Sequence, residues 1–309
     1  MPPVPEETVV SEGGEAPPRY SEWRRFIRVL VSRKVALFGV IVLILLIGIA
    51  IFADLGWMGL PGVGVAPYDP YKQDLARALE QPSAEHWLGT DPLGRDELSR
   101  IIYGSRVSLM VGIIAVGIAA GSGIALGLIS GFFGGWLDAV IMRIVDAVMA
   151  IPPIALALAI AAALGGGLQN IMIAVGISLT PGFSRIMRGL VLSLKETDYV
   201  MAGRSIGASN PRIMLRYILP NAFPILIVVI TVLMGAAILI EAGLSFLGIG
   251  IAPPGAAWGN MVSDGYRYLL THPILSFAPG LCIMLVVLSF NLAGDGLRDA
   301  LDPRLRGVI

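Results

Sequence analysis

Residues 199–220 read YVMAGRSIGASNPRIMLRYILP and lie between two long apolar runs. They are the centre of a polar, basic insert at 187–221 in a chain that is otherwise mostly apolar. Joining two membrane spans does not require such a segment, so the insert reads as a surface that docks something. Leu190, Leu192 and Leu194 give it an apolar element. Lys195, Glu196, Thr197 and Asp198 give it a polar start, with Asp198 as the expected N-cap. Met201, Ala202, Ser205 and Ile206 recur at i, i+1, i+4 and i+5, the spacing of a short helix with a small-residue face. Gly207 is the expected left-handed terminator. Asn210-Pro211 opens a second helix carrying Ile213, Met214 and Tyr217, which Pro220 is expected to stop or kink. A helix-turn-helix with small residues at its tip suits a groove on another protein. It equally suits a loop lying on the membrane surface, and these residues alone leave both open.

The rest of the chain sets the context. Of its 309 residues, 56% are hydrophobic and 14% charged, and the mean hydropathy is +0.80. A soluble domain carries roughly 25% charged residues. Several runs approach or exceed the ~20 apolar residues that cross a ~30 Å hydrocarbon core. The expectation is an all-α polytopic membrane protein with spans near 35–53, 106–130, 139–163, 168–186, 222–247 and 274–294. Residues 1–18 (MPPVPEETVVSEGGEAPP) lack core-forming side chains and read as a disordered tail. The first apolar run starts behind a long polar leader, so it reads as an uncleaved span.

An even number of spans puts both termini on one side. Arg19, Arg24, Arg25, Arg28, Arg33 and Lys34 precede the first span, and Arg185, Arg188, Lys195, Arg204, Arg212 and Arg216 cluster between the fourth and fifth. Arg298, Arg304 and Arg306 follow the sixth. Positive residues favour the cytoplasmic side, which makes the topology N-in and C-in and the insert cytoplasmic. The other side holds Lys72, Arg77, Arg95, Arg100, Arg106 and Arg267, mostly in the long outer loop 54–105. That loop opens Gly/Pro-rich and becomes regular at Asp96, a candidate cap for a short amphipathic helix with Leu98, Ile101 and Ile102. The domain reading is a cytoplasmic tail at 1–33, a first span plus outer loop at 34–105, a five-helix core at 106–297 containing the 187–221 loop, and a cytoplasmic tail at 298–309.

Nothing in the chain points to catalysis. The phosphate-cradling G-x-x-x-x-G-K-[ST] does not occur, so the sequence provides no ATPase of that type. His86 and His272 have no ligand-like neighbours, and Cys282, the sole cysteine, sits in an apolar run and reads as a buried small hydrophobe. No metal site and no bound cofactor are expected, and zero formal net charge gives no case for nucleic acid. Ionisable residues inside spans are costly and are candidates for function. Arg143 and Asp146 share a helix face and are expected to pair. Glu241 lies toward the outer end of the fifth span, either in a translocation path or gate or as a partner of the outer loop. Pro152-Pro153 should kink the third span, a second gate candidate. Glycines at 117 and 121, then 123, 127 and 131, let helix backbones approach, within this chain or against a partner.

At the insert the sequence resembles the cytoplasmic coupling loop of binding-protein-dependent ABC importer permeases. That family's pattern is E-A-A, three residues, G, nine residues, I-x-L-P. It falls on Met201-Ala202-Gly203, Gly207, Tyr217 and Leu219-Pro220 with all spacings kept. Met201, Gly203 and Tyr217 replace the family's Glu, Ala and Ile. HWLGTDPLGRDELSRIIYGSRVSL at 86–109, EAGLSFLGIGIAPPGAAWGNM at 241–261 and NLAGDGLRDALDPRLRG at 291–307 resemble the C-type permease of dipeptide/oligopeptide importers. The resemblance covers roughly residues 20–307.

It implies a type I ABC importer permease fold in the bacterial cytoplasmic (inner) membrane. It also implies a second homologous permease as heterodimer partner, two ABC ATPase subunits that use ATP and Mg, and an extracytoplasmic substrate-binding protein. Asp198, Met201, Ala202, Gly203, Gly207, Ala208, Asn210, Leu219 and Pro220 would then be the coupling residues, within a coupling helix and turn at 198–211. The competing classes are a self-sufficient secondary transporter or channel, and a membrane scaffold that recruits a cytoplasmic protein. Secondary transporters often show inverted repeats and midplane ionisable sites. This chain has no evident repeat, and its ionisable residues lie toward the span ends.

Overall fold

The computed structural model describes residues 30, 32–53, 64–251 and 254–301. The expected tail at 1–18, the leader arginines at 19–28 and the last arginines at 304 and 306 lie outside the described residues. Among the described residues the regular structure is helical, apart from one isolated bridge between Thr90 and Asp96.

Helix α1, Lys34–Phe52, has 19 residues, about 28 Å at 1.5 Å per residue and enough to cross the hydrocarbon. Helix α2, Glu97–Phe133, has 37 residues. The Asp96 carboxylate caps it by accepting from the Ser99 N–H at 2.8 Å, as the sequence suggested. The expected short helix and second span are, however, one helix running through residues 105 and 106. Gly104 does not break it: a Cβ there would lie 2.6 Å from the Trp258 ring, so this glycine serves packing.

The third span is broken outright. Helices α3 (Gly135–Met149) and α4 (Pro153–Leu164) meet at 89°. Two consecutive prolines remove two backbone donors, and Pro152 is extended with ψ of 135° while Pro153 starts the next helix. Helix α5, Leu168–Leu194, follows a turn of three glycines, Gly165 to Gly167, all at positive φ. Two short helices, α6 (Asp198–Ser205) and α7 (Asn210–Ile213), lead through a π-helical segment (Met214–Ile218) into α8, Leu219–Phe246. On the outer side lies α9, Trp258–Tyr266, and α10 is Ile274–Leu301. Five helices or helix runs are long and apolar enough to span, and the bent α3–α4 pair supplies the sixth as one broken crossing.

The most extensive packing is α2 on α5, and glycine makes it possible. A Cβ at Gly123 would lie 2.7 Å from Phe183 Cβ, one at Gly127 2.7 Å from Met187 Cβ, and one at Gly131 2.8 Å from Val191 Cβ. Ser122 and Thr180 add a 2.7 Å hydroxyl–hydroxyl bond between the same helices. Gly117 and Gly121 face elsewhere, with nothing within 4 Å of a built Cβ. The glycine series therefore splits into an internal seam and an open face.

The outer loop folds onto the top of α2. Asp91 accepts from Arg95 Nε at 2.6 Å, and Arg100 donates from Nη1 to the Pro70 carbonyl at 3.2 Å. His86 is buried, with Nδ1 2.8 Å from Asp96 Oδ1. Trp258 of α9 donates to the Ile101 carbonyl at 2.9 Å.

Candidate functional site

The 187–221 insert is a firmly seated loop at the end of the α2–α5 pair. Val200, Ile213 and Ile218 are at most 1% exposed and enter one core with Phe132, Met187, Val191 and Leu226. Burying three aliphatic side chains stabilises the seat by roughly 1.5–3 kcal/mol each. Two cationic contacts add to it. Lys195 Nζ donates to the Gly131 carbonyl at 3.2 Å, and the Arg204 guanidinium lies 5.5 Å from the Phe132 ring centroid. Both anchor points sit in the last turn of α2.

Helix α6 begins with Asp198 itself, so the N-cap is Thr197 rather than Asp198. The Val200 and Met201 N–H groups bond to the Thr197 carbonyl, and the Thr197 hydroxyl turns back to Leu194 O at 2.6 Å. Asp198 remains in the first turn, where its charge opposes the positive helix end. The other terminus is as expected. Gly207 has φ of +79°, its N–H bonds to Arg204 O, and the Ala208 N–H bonds to Gly203 O. These two bonds make a Schellman end.

The loop presents a defined tip. Met201 is 46% and Ile206 80% exposed, and Ala202, Gly207 and Asn210 are exposed beside them. Gly203 turns inward: it is buried, with a built Cβ 3.5 Å from the Tyr217 ring. Ala208 and Leu219 are half-buried, and Asp198 and Pro220 are exposed. Pro220 does not stop the helix, which runs on from Asn210 to Phe246. The π segment immediately before Pro220 shifts the hydrogen-bond register where a proline has no N–H to give. Sequence reasoning missed Val200, Lys195 and Arg204 as anchors. Lys195 and Arg204 reach Gly131 and Phe132 at the end of α2, 64 and 72 residues away in sequence, and no local spacing signals them.

Among the gate candidates, Pro152 and Pro153 form the 89° corner and are exposed. Glu241 is fully buried inside the chain and accepts from Ser245 Oγ at 2.6 Å, while its Oε2 has no hydrogen-bond partner among the described residues. The expected Arg143–Asp146 pair does not form. Asp146 pairs with Arg185 of α5, and Arg188 of α5 forks onto Asp138. An i,i+3 pair on one exposed face gains little, whereas the cross-helix pairs hold α3 to α5.

Among the described residues the molecule is a multi-pass helical bundle with a firmly seated helix-turn-helix between two of its spans, the architecture of a membrane transport subunit. Residues 123–307 match the family described as binding-protein-dependent transport system inner membrane component, and residues 21–82 match the N-terminal TM domain of oligopeptide transport permease C. The chain belongs to that family: it is an inner-membrane permease of an ABC importer. It is 46% identical to the dipeptide transport system permease protein DppC of Alkalihalophilus pseudofirmus over 93% of this chain and 91% of that one. It is 44% identical to the glutathione transport system permease protein GsiD of Escherichia coli O157:H7, over 94% and 92% of the two chains. Among solved structures, a chain of the inward-facing MetNI methionine ABC transporter superposes with a TM-score of 0.55. The identity is 19%, over 66% of this chain and 96% of that one. That likeness supports the type I permease fold.

Proposed function

We propose that this permease imports short peptides, glutathione-sized solutes included, and does so as half of a heterodimeric path. A second homologous permease would complete the path. Two ATPase subunits would hydrolyse ATP with Mg, and an extracytoplasmic binding protein would deliver the solute. Support for the substrate class comes from relatives named for dipeptide and for glutathione transport, which are both peptides. Support for the partner permease comes from Gly117 and Gly121, which leave a close-approach face on α2 that the described residues do not fill.

The observation that carries the coupling role is the division of α6 into a seated face and a free tip. Val200 and Gly203 fasten it, while Met201, Ala202 and Ile206 face out. Asp198, Gly207, Ala208 and Asn210 shape the helix and its turn, and Leu219 and Pro220 join it to α8. Closure of the ATPase pair would move α6, and the bonds from Lys195 and Arg204 to the end of α2 would carry that movement into the α2–α5 unit. The five helices from 106 to 297 would tilt between inward- and outward-facing states, while residues 34–105 would form the peripheral span and outer loop. The Pro152-Pro153 corner would flex, and Glu241, buried toward the C-terminal end of α8, would bias the outer gate. A ligand-driven switch of this kind needs differential contacts in the two states.

The test is uptake of labelled dipeptide or glutathione into vesicles holding the full complex and binding protein. Ala202→Arg places a bulky charge at the tip without entering the core. The expected result is ATP hydrolysis that no longer responds to loaded binding protein, with uptake lost. Persistence of both stimulation and uptake would overturn the coupling assignment. Uptake of neither solute by the wild-type complex would overturn the substrate class alone.

A further inference from the structure

Where α1 begins and α10 ends, a cavity of about 290 Å³ opens between the two helices, lined by Ser32, Arg33, Lys34, Val35, Leu292, Asp295 and Asp299. The helices touch just above it: a Cβ at Gly39 would lie 2.9 Å from Leu292 Cβ, and one at Gly296 2.5 Å from Ala36 Cβ. Positive-residue placement makes this end cytoplasmic, and Lys34 starts the apolar run, so the cavity lies at headgroup depth. It also lies at the periphery of the bundle, because α1 buries only Ala36, Gly39 and Ala50, and Val35 is 62% exposed.

The wall carries two cations and two acids. Arg33 and Asp299 pair at 3.3 Å, and Lys34 and Asp295 form no ion pair among the described residues. An anionic headgroup would meet Asp295 unfavourably, and a purely cationic one would meet Lys34. The volume holds roughly ten waters at ~30 Å³ each, which is room for a phosphoethanolamine group. A quaternary ammonium donates no hydrogen bond and is held by aromatic faces, and no aromatic residue is among the described residues that line the cavity. We propose that this cavity is a binding site for the headgroup of phosphatidylethanolamine, with its phosphate on Lys34 and Arg33, its primary ammonium on Asp295, and its acyl chains running up past Val35 and Leu292.

The test uses the assembled complex in mild detergent, exchanged against chain-matched phosphatidylethanolamine, phosphatidylglycerol and phosphatidylcholine. Bound lipid is counted by native mass spectrometry, and the same spectrum reports assembly. Wild type should retain the ethanolamine lipid over the other two. Lys34→Met should lower that retention about fivefold, the loss expected of one juxtamembrane cation. Asp295→Asn should lower it similarly and erase the preference over phosphatidylglycerol. Retention and preference unchanged in both variants would overturn the site. Retention seen only after removal of residues 1–29 would overturn it too, by assigning the cavity to the chain's own leader.

Discussion

Arg188 on α5 donates two parallel hydrogen bonds to Asp138 on α3, with Nε and Nη2 each 2.6 Å from a carboxylate oxygen. Asp138 and Arg188 are 18% and 32% exposed, so the fork is shielded from water more than an ordinary surface pair. A bidentate pair is the stronger and more directional kind of ion pair. It fixes the first half of the broken span to the helix that leads into the 187–221 loop.

Removing one partner should therefore be measurable. Asp138→Asn is expected to lower the unfolding free energy of the purified subunit by about 1 kcal/mol, after allowance for partial exposure. Arg188→Gln should do the same, and the double variant should cost little more than either alone. Strict additivity in that cycle would show that the pair contributes no coupling. The Arg185–Asp146 pair, about half exposed on both sides, should give a smaller effect.

The two classes of glycine on α2 should separate cleanly. Gly127→Leu forces a side chain onto Met187 Cβ and Arg188 N, 2.7 and 2.8 Å from where its Cβ would stand, and overpacking of this kind costs about 3 kcal/mol. Gly117→Leu meets nothing within 4 Å and should leave the isolated subunit's thermal unfolding unchanged. If the open face receives the partner permease, Gly117→Leu should instead reduce co-purification of the two permeases. A stability loss in the isolated Gly117→Leu subunit would contradict the packing described here.

Backbone chemistry was legible residue by residue: Gly207 is left-handed, Asn210-Pro211 starts a helix, and Asp96 caps one. Local conformational preference decides each of them. Choices between alternative partners were not legible. Asp146 had Arg143 three residues away but pairs with Arg185 across a helix interface, and Gly203, in the family-like pattern of the 187–221 loop, faces Tyr217. Span ends were obscured for a similar reason. Helix α2 continues outward through residues 97–105 because the outer loop and Trp258 bury that end, so hydropathy alone placed its start too far in.

Acid should loosen the outer loop. Hydrogen bonds from the Arg77 guanidinium hold the Glu80 and Glu85 carboxyls below the usual carboxylate range. Their lowered folded-state values mean that the contribution is present above the unfolded carboxylate value of 4.5 and is lost as pH falls through the folded values. A spin label on Ser83→Cys, in a Cys282→Ser background, should keep constant mobility from pH 7 to about 5. It should become more mobile only below about 4.5. Arg77→Ala should be mobile throughout. A transition in wild type near neutral pH would place the control with some other group.

The departure at Met201 gives the most discriminating substitution in the proposed coupling loop. Related loops carry an acid at this position, which suits a polar contact on the ATPase, whereas here Met201 and Ile206 together make an exposed apolar tip. A groove that has adapted to this tip would desolvate an introduced carboxylate without pairing it, at a cost of roughly 1–3 kcal/mol. Met201→Glu should then lower ATP-driven uptake by about tenfold, while Met201→Leu, which keeps the volume and polarity, should transport normally. The side chain is half exposed and enters none of the buried clusters, so neither change should disturb folding or assembly, and co-purification of the complex checks that. Higher uptake in Met201→Glu would mean that the ATPase retains a cationic partner for the missing acid. In that case the methionine weakens a contact that the frame of the loop still supports.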